Sequence, residues 1–326
     1  MGIRIRLAFS AAMALAMTGG VALATTATTA TTAVAAAGSP AAAPMVREGI
    51  CTAPAKYTAL AARLSRDIKA ALAGRHDYYA LTVFDRTREV GCEINENAHF
   101  HSASVVKATI LAALLRWHQE TGKPLTANEK YLATLMITQS DNDAATALWN
   151  EVGLARLQHF LDLAHMSETV LDPSAWGLTE ITAHDELTLL RTLTFGNPVL
   201  SNYSREYELG LMAQVIPSQR WGTPAGAPSE VTVHVKNGWL PETVGGWKIH
   251  SIGAFNGHGR DYMMAVLTEN NATMAYGVDT IEAVAEVVHR DLNAGLPAAG
   301  EPLPATPAPA HPSPDEVLPA SPPASR

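Results

Sequence analysis

Three strand-length apolar runs crowd the last third of the folded part of this chain: EVTVHVK (230–236), KIHSIGAF (248–255) and YMMAVLT (262–268). The last two are joined by NGHGRD, a glycine-containing stretch that reads as a hairpin turn. Connections this short join antiparallel neighbours, because parallel strands need a crossover of a dozen or more residues. Val278, Ile281, Val284, Val288 and Leu292 then recur at helical spacing and predict a closing helix. Upstream, Tyr57, Leu60, Leu64, Ile68 and Leu72 predict an amphipathic helix, and YALTVFD (79–85) predicts a strand. The middle of the chain, about 104–214, is helical in pattern, with breaks at Gly122–Pro124, Asp172–Pro173 and Gly196–Pro198. Helix, strand, a block of helices, three strands and a final helix give an α/β (α+β) fold class. The expectation is an antiparallel sheet flanked by helices, with the two terminal helices on one face and an all-helical subdomain inserted.

The flanks are different in kind. MGIRIRLAFSAAMALAMTGGVALA (1–24) has Arg4 and Arg6, then an apolar run rich in small residues, which is the pattern of a signal peptide. Cleavage after Ala24 or near Ala35–Ala37 fits equally, and an uncleaved membrane anchor is the alternative. Residues 296–326 hold ten of the twenty prolines and read as an extended tail. The expected organisation is a signal peptide and Ala/Thr-rich region (1–37), a linker (38–49), one folded domain (50–295) and the tail (296–326). The protein reads as secreted or extracytoplasmic, with the membrane touched only through the N-terminal segment if it is uncleaved. A net charge of −8 without a basic stripe excludes nucleic acid as a partner. No HExxH or CxxC spacing is present, so no metal or other cofactor is expected. Cys51 and Cys92 are the only cysteines, and in an exported chain such a pair reads as a disulfide. Two unpaired buried thiols remain the other reading.

One apolar helix carries a misplaced cation. In HSASVVKATILAALL (101–115), Lys107 sits one turn into a buried-looking run, three residues after Ser104. At i and i+3 the two side chains share a helix face. A serine hydroxyl needs a neighbour that takes its proton before it is a nucleophile, and a lysine in its neutral form does so. A helix N-terminus adds a positive dipole end beside the developing oxyanion. MITQSDNDAATAL (136–148) brackets Asp141 with Ser140 and Asn142 where one helical pattern ends and the next begins; capping of that next helix explains the tripeptide as well. HVKNGW (234–239) puts Lys236 and Gly238 on a predicted strand, where an edge-protecting charge and a bulge are the plain alternatives.

In this order and setting the three elements resemble the S-x-x-K, S-D-N and K-T-G motifs of class A β-lactamases and their penicillin-binding, DD-peptidase relatives. The likeness spans about 55–293. It implies a serine hydrolase acting through an acyl-enzyme. Ser104 would attack the carbonyl, Lys107 would accept its proton or organise the water that does, and Ser140 would relay a proton to the leaving nitrogen. Asn142 would hold the substrate amide and Lys107, and Lys236 would bind the substrate carboxylate. The backbone N–H groups of Ser104 and Trp239 would form the oxyanion hole, and Gly238 would let substrate lie along the strand. Asn237 stands where the family has Thr, and its amide would donate in the hydroxyl's place. The implied partner is a small-molecule β-lactam or a peptidoglycan-type peptide, and the implied state a monomer.

Two departures bear on the second half of such a reaction. Aligned on Leu171-Asp172, the position of the family's water-activating glutamate falls near Ala175 or Trp176, neither of which is a base. Glu180 is the nearest carboxylate and the candidate substitute, with a surface or cap residue as the alternative. Ser104 and Ser140 are 36 residues apart, closer than is usual in the family, so a wall of the cleft is shortened.

Overall fold

The computed structural model describes residues 44–241 and 246–294; the signal-peptide region and the proline-rich tail lie outside the described residues. Among the described residues there are nine strands: β1 Met45–Glu48, β2 Cys51–Pro54, β3 Tyr78–Asp85, β4 Val90–Ile94, β5 Phe100–His101, β6 Glu180–Ile181, β7 Thr232–Pro241, β8 Trp247–Gly257 and β9 Arg260–Asn271. Eight helices accompany them: α1 Thr58–Ala71, α2 Val106–Thr121, α3 Ala127–Thr138, α4 Asn142–Val152, α5 Leu154–Ala164, α6 Ala183–Thr194, α7 Asn202–Met212 and α8 Met274–Leu292.

Seven strands form one antiparallel sheet in the order β1-β2-β4-β3-β9-β8-β7, while β5 and β6 pair separately. The period of two along each strand divides the core. On β9, Met263, Ala265 and Leu267 pack with the helical block, whereas Tyr262, Met264 and Val266 pack on the other face with α1 and α8. The sheet is therefore the middle of three layers, as expected from the two flanking helices and the helical insertion. Helices α2 to α7 fill that insertion. Its breaks fall where turn chemistry requires them: Gly122 ends α2 at φ 65°, and Thr126 with Glu129 builds a reciprocal capping box that starts α3.

Five strands are not legible in the sequence, among them the two-residue pair β5 and β6. β1 lies inside the stretch read as a linker, and β2 and β4 are short pieces without strong alternation. Their pairing places Cys51 opposite Cys92, and the two are joined in a disulfide with Cα atoms 4.0 Å apart. The thiol alternative is thereby removed. Among the described residues no helix is long and apolar enough to cross a membrane.

Candidate active site

Ser104 lies in a 3₁₀ turn, Ala103–Val105, that runs directly into α2, so the serine stands just ahead of the helix and Lys107 in its first turn. The turn is entered through Ala103 at φ 46°, and Ser140 has φ 58°. Left-handed backbone costs a non-glycine residue about 1–2 kcal/mol. Such residues persist only where their surroundings over-determine them, and they collect at functional sites. Around Ala103 the constraint is visible. The Ser102 N–H donates to the Thr179 carbonyl at 2.8 Å, and the Ser102 hydroxyl faces the carbonyl of Trp176 at 3.4 Å.

Lys107 is fully buried. Its ammonium donates to the Ser140 carbonyl at 2.6 Å, to Asn142 Oδ1 at 2.6 Å and to Ser140 Oγ at 3.2 Å. Hydrogen bonding of this order is what makes a buried cation tolerable. The indole of Trp176 lies 4.7 Å from the nitrogen and adds a cation–π contact.

The S-D-N tripeptide divides its labour. Asp141 is the N-cap of α4 and accepts from the Ala144 N–H at 2.7 Å. The capping explanation thus belongs to the middle residue alone, and Ser140 and Asn142 are turned to Lys107. From the far side, Lys236 donates to Ser140 Oγ at 3.0 Å and to the Asn237 carbonyl at 2.8 Å. Two ammonium groups therefore converge on one hydroxyl oxygen. With both acceptor positions used, the Ser140 hydrogen is left to be donated, and negative charge on that oxygen is favoured. Lys236 is 1% exposed, so it is no edge-protecting surface charge.

β7 is an edge strand, and its alternation separates the four residues of K-N-G-W. Lys236 and Gly238 face the Ser104 turn. A Cβ on Gly238 would stand 2.9 Å from both Ser104 N and Val105 N and 3.0 Å from the Ser102 carbonyl oxygen, so close backbone approach, rather than a bulge, demands glycine here. Asn237 faces the other way. Its amide donates both hydrogens, to the Gln219 carbonyl at 2.8 Å and the Trp221 carbonyl at 2.9 Å, so the expected donor in place of the threonine hydroxyl is already committed to the backbone. Trp239 shares that face, its ring 6.0 Å from that of Trp221.

The 168–187 stretch carries what sequence reasoning did not anticipate. Asp172 accepts from Ser174 N, Ser174 Oγ and Ala175 N, and these bonds, led by the serine hydroxyl, hold its carboxyl below the usual range. The tight turn they make delivers Trp176, which is 2% exposed and pinned through Nε1 to Thr146 Oγ1 at 3.1 Å, against Lys107. No local signal in the sequence announces that contact. Glu180 sits in β6 opposite His101, with its half-exposed carboxylate 3.7 Å from His99 Nδ1. Among the described residues no group of three or more His, Cys, Asp or Glu is placed to hold a metal ion.

A family model described as the beta-lactamase enzyme family matches residues 117–292, more than half of the chain. The chain belongs to the β-lactamase enzyme family. The match begins after Ser104 and Lys107, so the position of those two rests on the geometry above. Solved structures agree on the fold. A class A β-lactamase from Bacteroides cellulosilyticus DSM 14838 is 16% identical with a TM-score of 0.63, covering 71% of this chain and 98% of its own. A β-lactamase from Sphaerobacter thermophilus DSM 20745 is 19% identical with a TM-score of 0.61, covering 71% and 97%. A variant of PBP-A, solved as its acyl-enzyme complex with penicillin G, is 18% identical with a TM-score of 0.61, covering 71% and 96%. No curated protein matches the chain significantly. The fold is thus that of the class A β-lactamases, as the motifs implied.

Proposed function

We propose that the protein is an exported serine hydrolase that is acylated at Ser104 by a β-lactam or a related amide and then releases the acyl group to water. The observation that carries this reading is the convergence of Lys107, one turn after Ser104, and Lys236 on the Ser140 hydroxyl. Ser104 Oγ bonds to the carbonyl carbon as its proton passes to Lys107 in the neutral form. A neutral amine keeps two hydrogens, enough for the Ser140 carbonyl and Asn142 Oδ1, and offers its lone pair to the incoming proton. The proton reaches the leaving nitrogen through Ser140 as the C–N bond breaks. Lys236 attracts the substrate carboxylate, and the N–H groups of Ser104 and Trp239 receive the oxyanion, each worth about 3–4 kcal/mol. Hydrolysis then needs a water activated by a base, and Glu180 is the carboxylate proposed for it. The working domain is 50–295 together with strand β1, which joins its sheet, and is preceded by a signal region; the Cys51–Cys92 disulfide is compatible with an oxidising compartment. The protein acts as a monomer, without metal or cofactor.

One observation favours a second outcome for the same acyl-enzyme. Trp176 occupies the flank of Lys107, and the carboxylate of Glu180 is drawn to His99. Slow release would make the protein a D-alanyl-D-alanine carboxypeptidase-like enzyme or a β-lactam-binding sensor. Purified protein incubated with a fluorescent penicillin and a chromogenic cephalosporin, followed by intact mass, decides between them. Rapid turnover supports the hydrolase; a persistent adduct supports the sensor or peptidase. Absence of both, or labelling that survives Ser104→Ala, refutes the acyl-enzyme at Ser104.

A further inference from the structure

A buried imidazole lies directly behind the Ser104 turn. His250, fully buried on β8, stands opposite Gly238 of β7 and opposite Leu267 of β9. Its two ring nitrogens are both engaged, and their partners assign the tautomer. The register of β8 and β9 shifts between Trp247 and Ile249, and beside the shift the Thr268 N–H donates to His250 Nδ1 at 3.2 Å. Nδ1 therefore carries the lone pair and Nε2 the hydrogen. That hydrogen is donated to the His101 carbonyl at 2.9 Å. The ring is fixed edge-on against Phe100, with centroids 5.9 Å apart.

His101 ends β5, and the next residues are Ser102, the left-handed Ala103, and Ser104. Two independent contacts therefore press on the same turn from the sheet: the imidazole on the carbonyl that precedes it, and Gly238 on the N–H groups of Ser104 and Val105. We propose that His250 is a positioning residue, a clamp that ties β8 and β9 to the His101 carbonyl and so holds Ala103 in the left-handed conformation that aims Ser104. The inference rests on the acyl-enzyme reading for its kinetic consequence and on geometry alone for the clamp. A turn relaxed at Ala103 swings the Ser104 hydroxyl away from the amine that must take its proton. Misplacement by about 1 Å costs on the order of a hundredfold in rate.

The test compares His250→Asn with His250→Gln. Asparagine keeps a polar atom near the Nδ1 position but falls short of His101, while glutamine reaches the Nε2 position and can donate there. Acylation by the fluorescent penicillin is read as a rate per labelled site, so that loss of folded protein does not enter. H250N should acylate about 10–100-fold more slowly, and H250Q should recover most of that rate. Ala103→Gly placed in the H250N background should also restore it, because glycine adopts a positive φ without strain. Wild-type rates in H250N, or a loss that Ala103→Gly leaves untouched, overturn the clamp. If the wild-type protein takes up no penicillin, the acyl-enzyme reading falls instead. Backbone amide exchange over Ser102–Val105 then decides: faster exchange in H250N supports the clamp, and unchanged exchange refutes it.

Discussion

Glu186 offers a quantitative test of the packing behind the site. It lies in the first turn of α6, the helix that follows the loop carrying Trp176 and is anchored to β3 by Thr82 Oγ1 donating to the Ala183 carbonyl at 2.9 Å. The side chain is fully buried and neither carboxylate oxygen has a hydrogen-bond partner. Burial, helped by neighbouring Asp185, pushes its pKa up to about 8 from 4.5. Because the folded-state value lies above the unfolded one, this group's contribution is fully present below about pH 4.5 and is lost as pH rises toward 8. At 1.36 kcal/mol per pKa unit, ionisation of the unfolded chain alone costs about 3 kcal/mol of stability by pH 7 and about 5 kcal/mol by pH 8. Glu186→Gln keeps the volume and removes the titration. Urea unfolding of both proteins at pH 5, 6, 7 and 8 should therefore show the variant gaining on wild type by about 1.4 kcal/mol per unit through this window. Glu208 is likewise pushed up by complete burial, but it is common to both proteins and cancels in the difference. A difference that stays constant from pH 5 to pH 8 would refute a neutral buried Glu186.

Gly238→Ala should cost about 1–3 kcal/mol through overpacking against the Ser104 turn and slow acylation on the order of a hundredfold. Normal labelling in a stable variant would show that the approach of β7 to that turn is looser. Reduction of Cys51–Cys92, which closes a 41-residue separation, should remove about 3–4 kcal/mol and lower the melting temperature on the order of 10 °C. An unchanged melt would show that the β2–β4 pairing needs no cross-link. Glu180→Gln should cut cephalosporin turnover about a hundredfold or more and let the adduct accumulate; turnover at the wild-type rate removes Glu180 as the base.

Much of the site was readable because its chemistry is concentrated in short segments. Ser104 and Lys107 are bound by helical spacing, and S-D-N sits at a helix boundary that local pattern reveals. Strand alternation in H-V-K-N-G-W already separates Lys236 and Gly238 from Asn237 and Trp239, so the orientation of Asn237 was available from period two alone. The expectation that its amide would face substrate followed the family's threonine instead, and the backbone carbonyls of Gln219 and Trp221 claim it. β1, β2, β4, β5 and β6 are hidden because strands of two to five residues carry too few alternations to stand above turn and linker patterns.

The sequence alone settled the class of fold and the helical insertion, and it singled out the candidate residues Ser104, Lys107 and Ser140, since these depend on periodicity and on neighbours a few positions apart. Tertiary structure decided everything that depends on distant segments meeting. It set two lysines 129 residues apart on one serine oxygen, laid Trp176 across Lys107, and put His250 behind the carbonyl that leads into the Ser104 turn. Such contacts arise from the closing of long loops around a shared core, and no local pattern encodes which side chain will be waiting there.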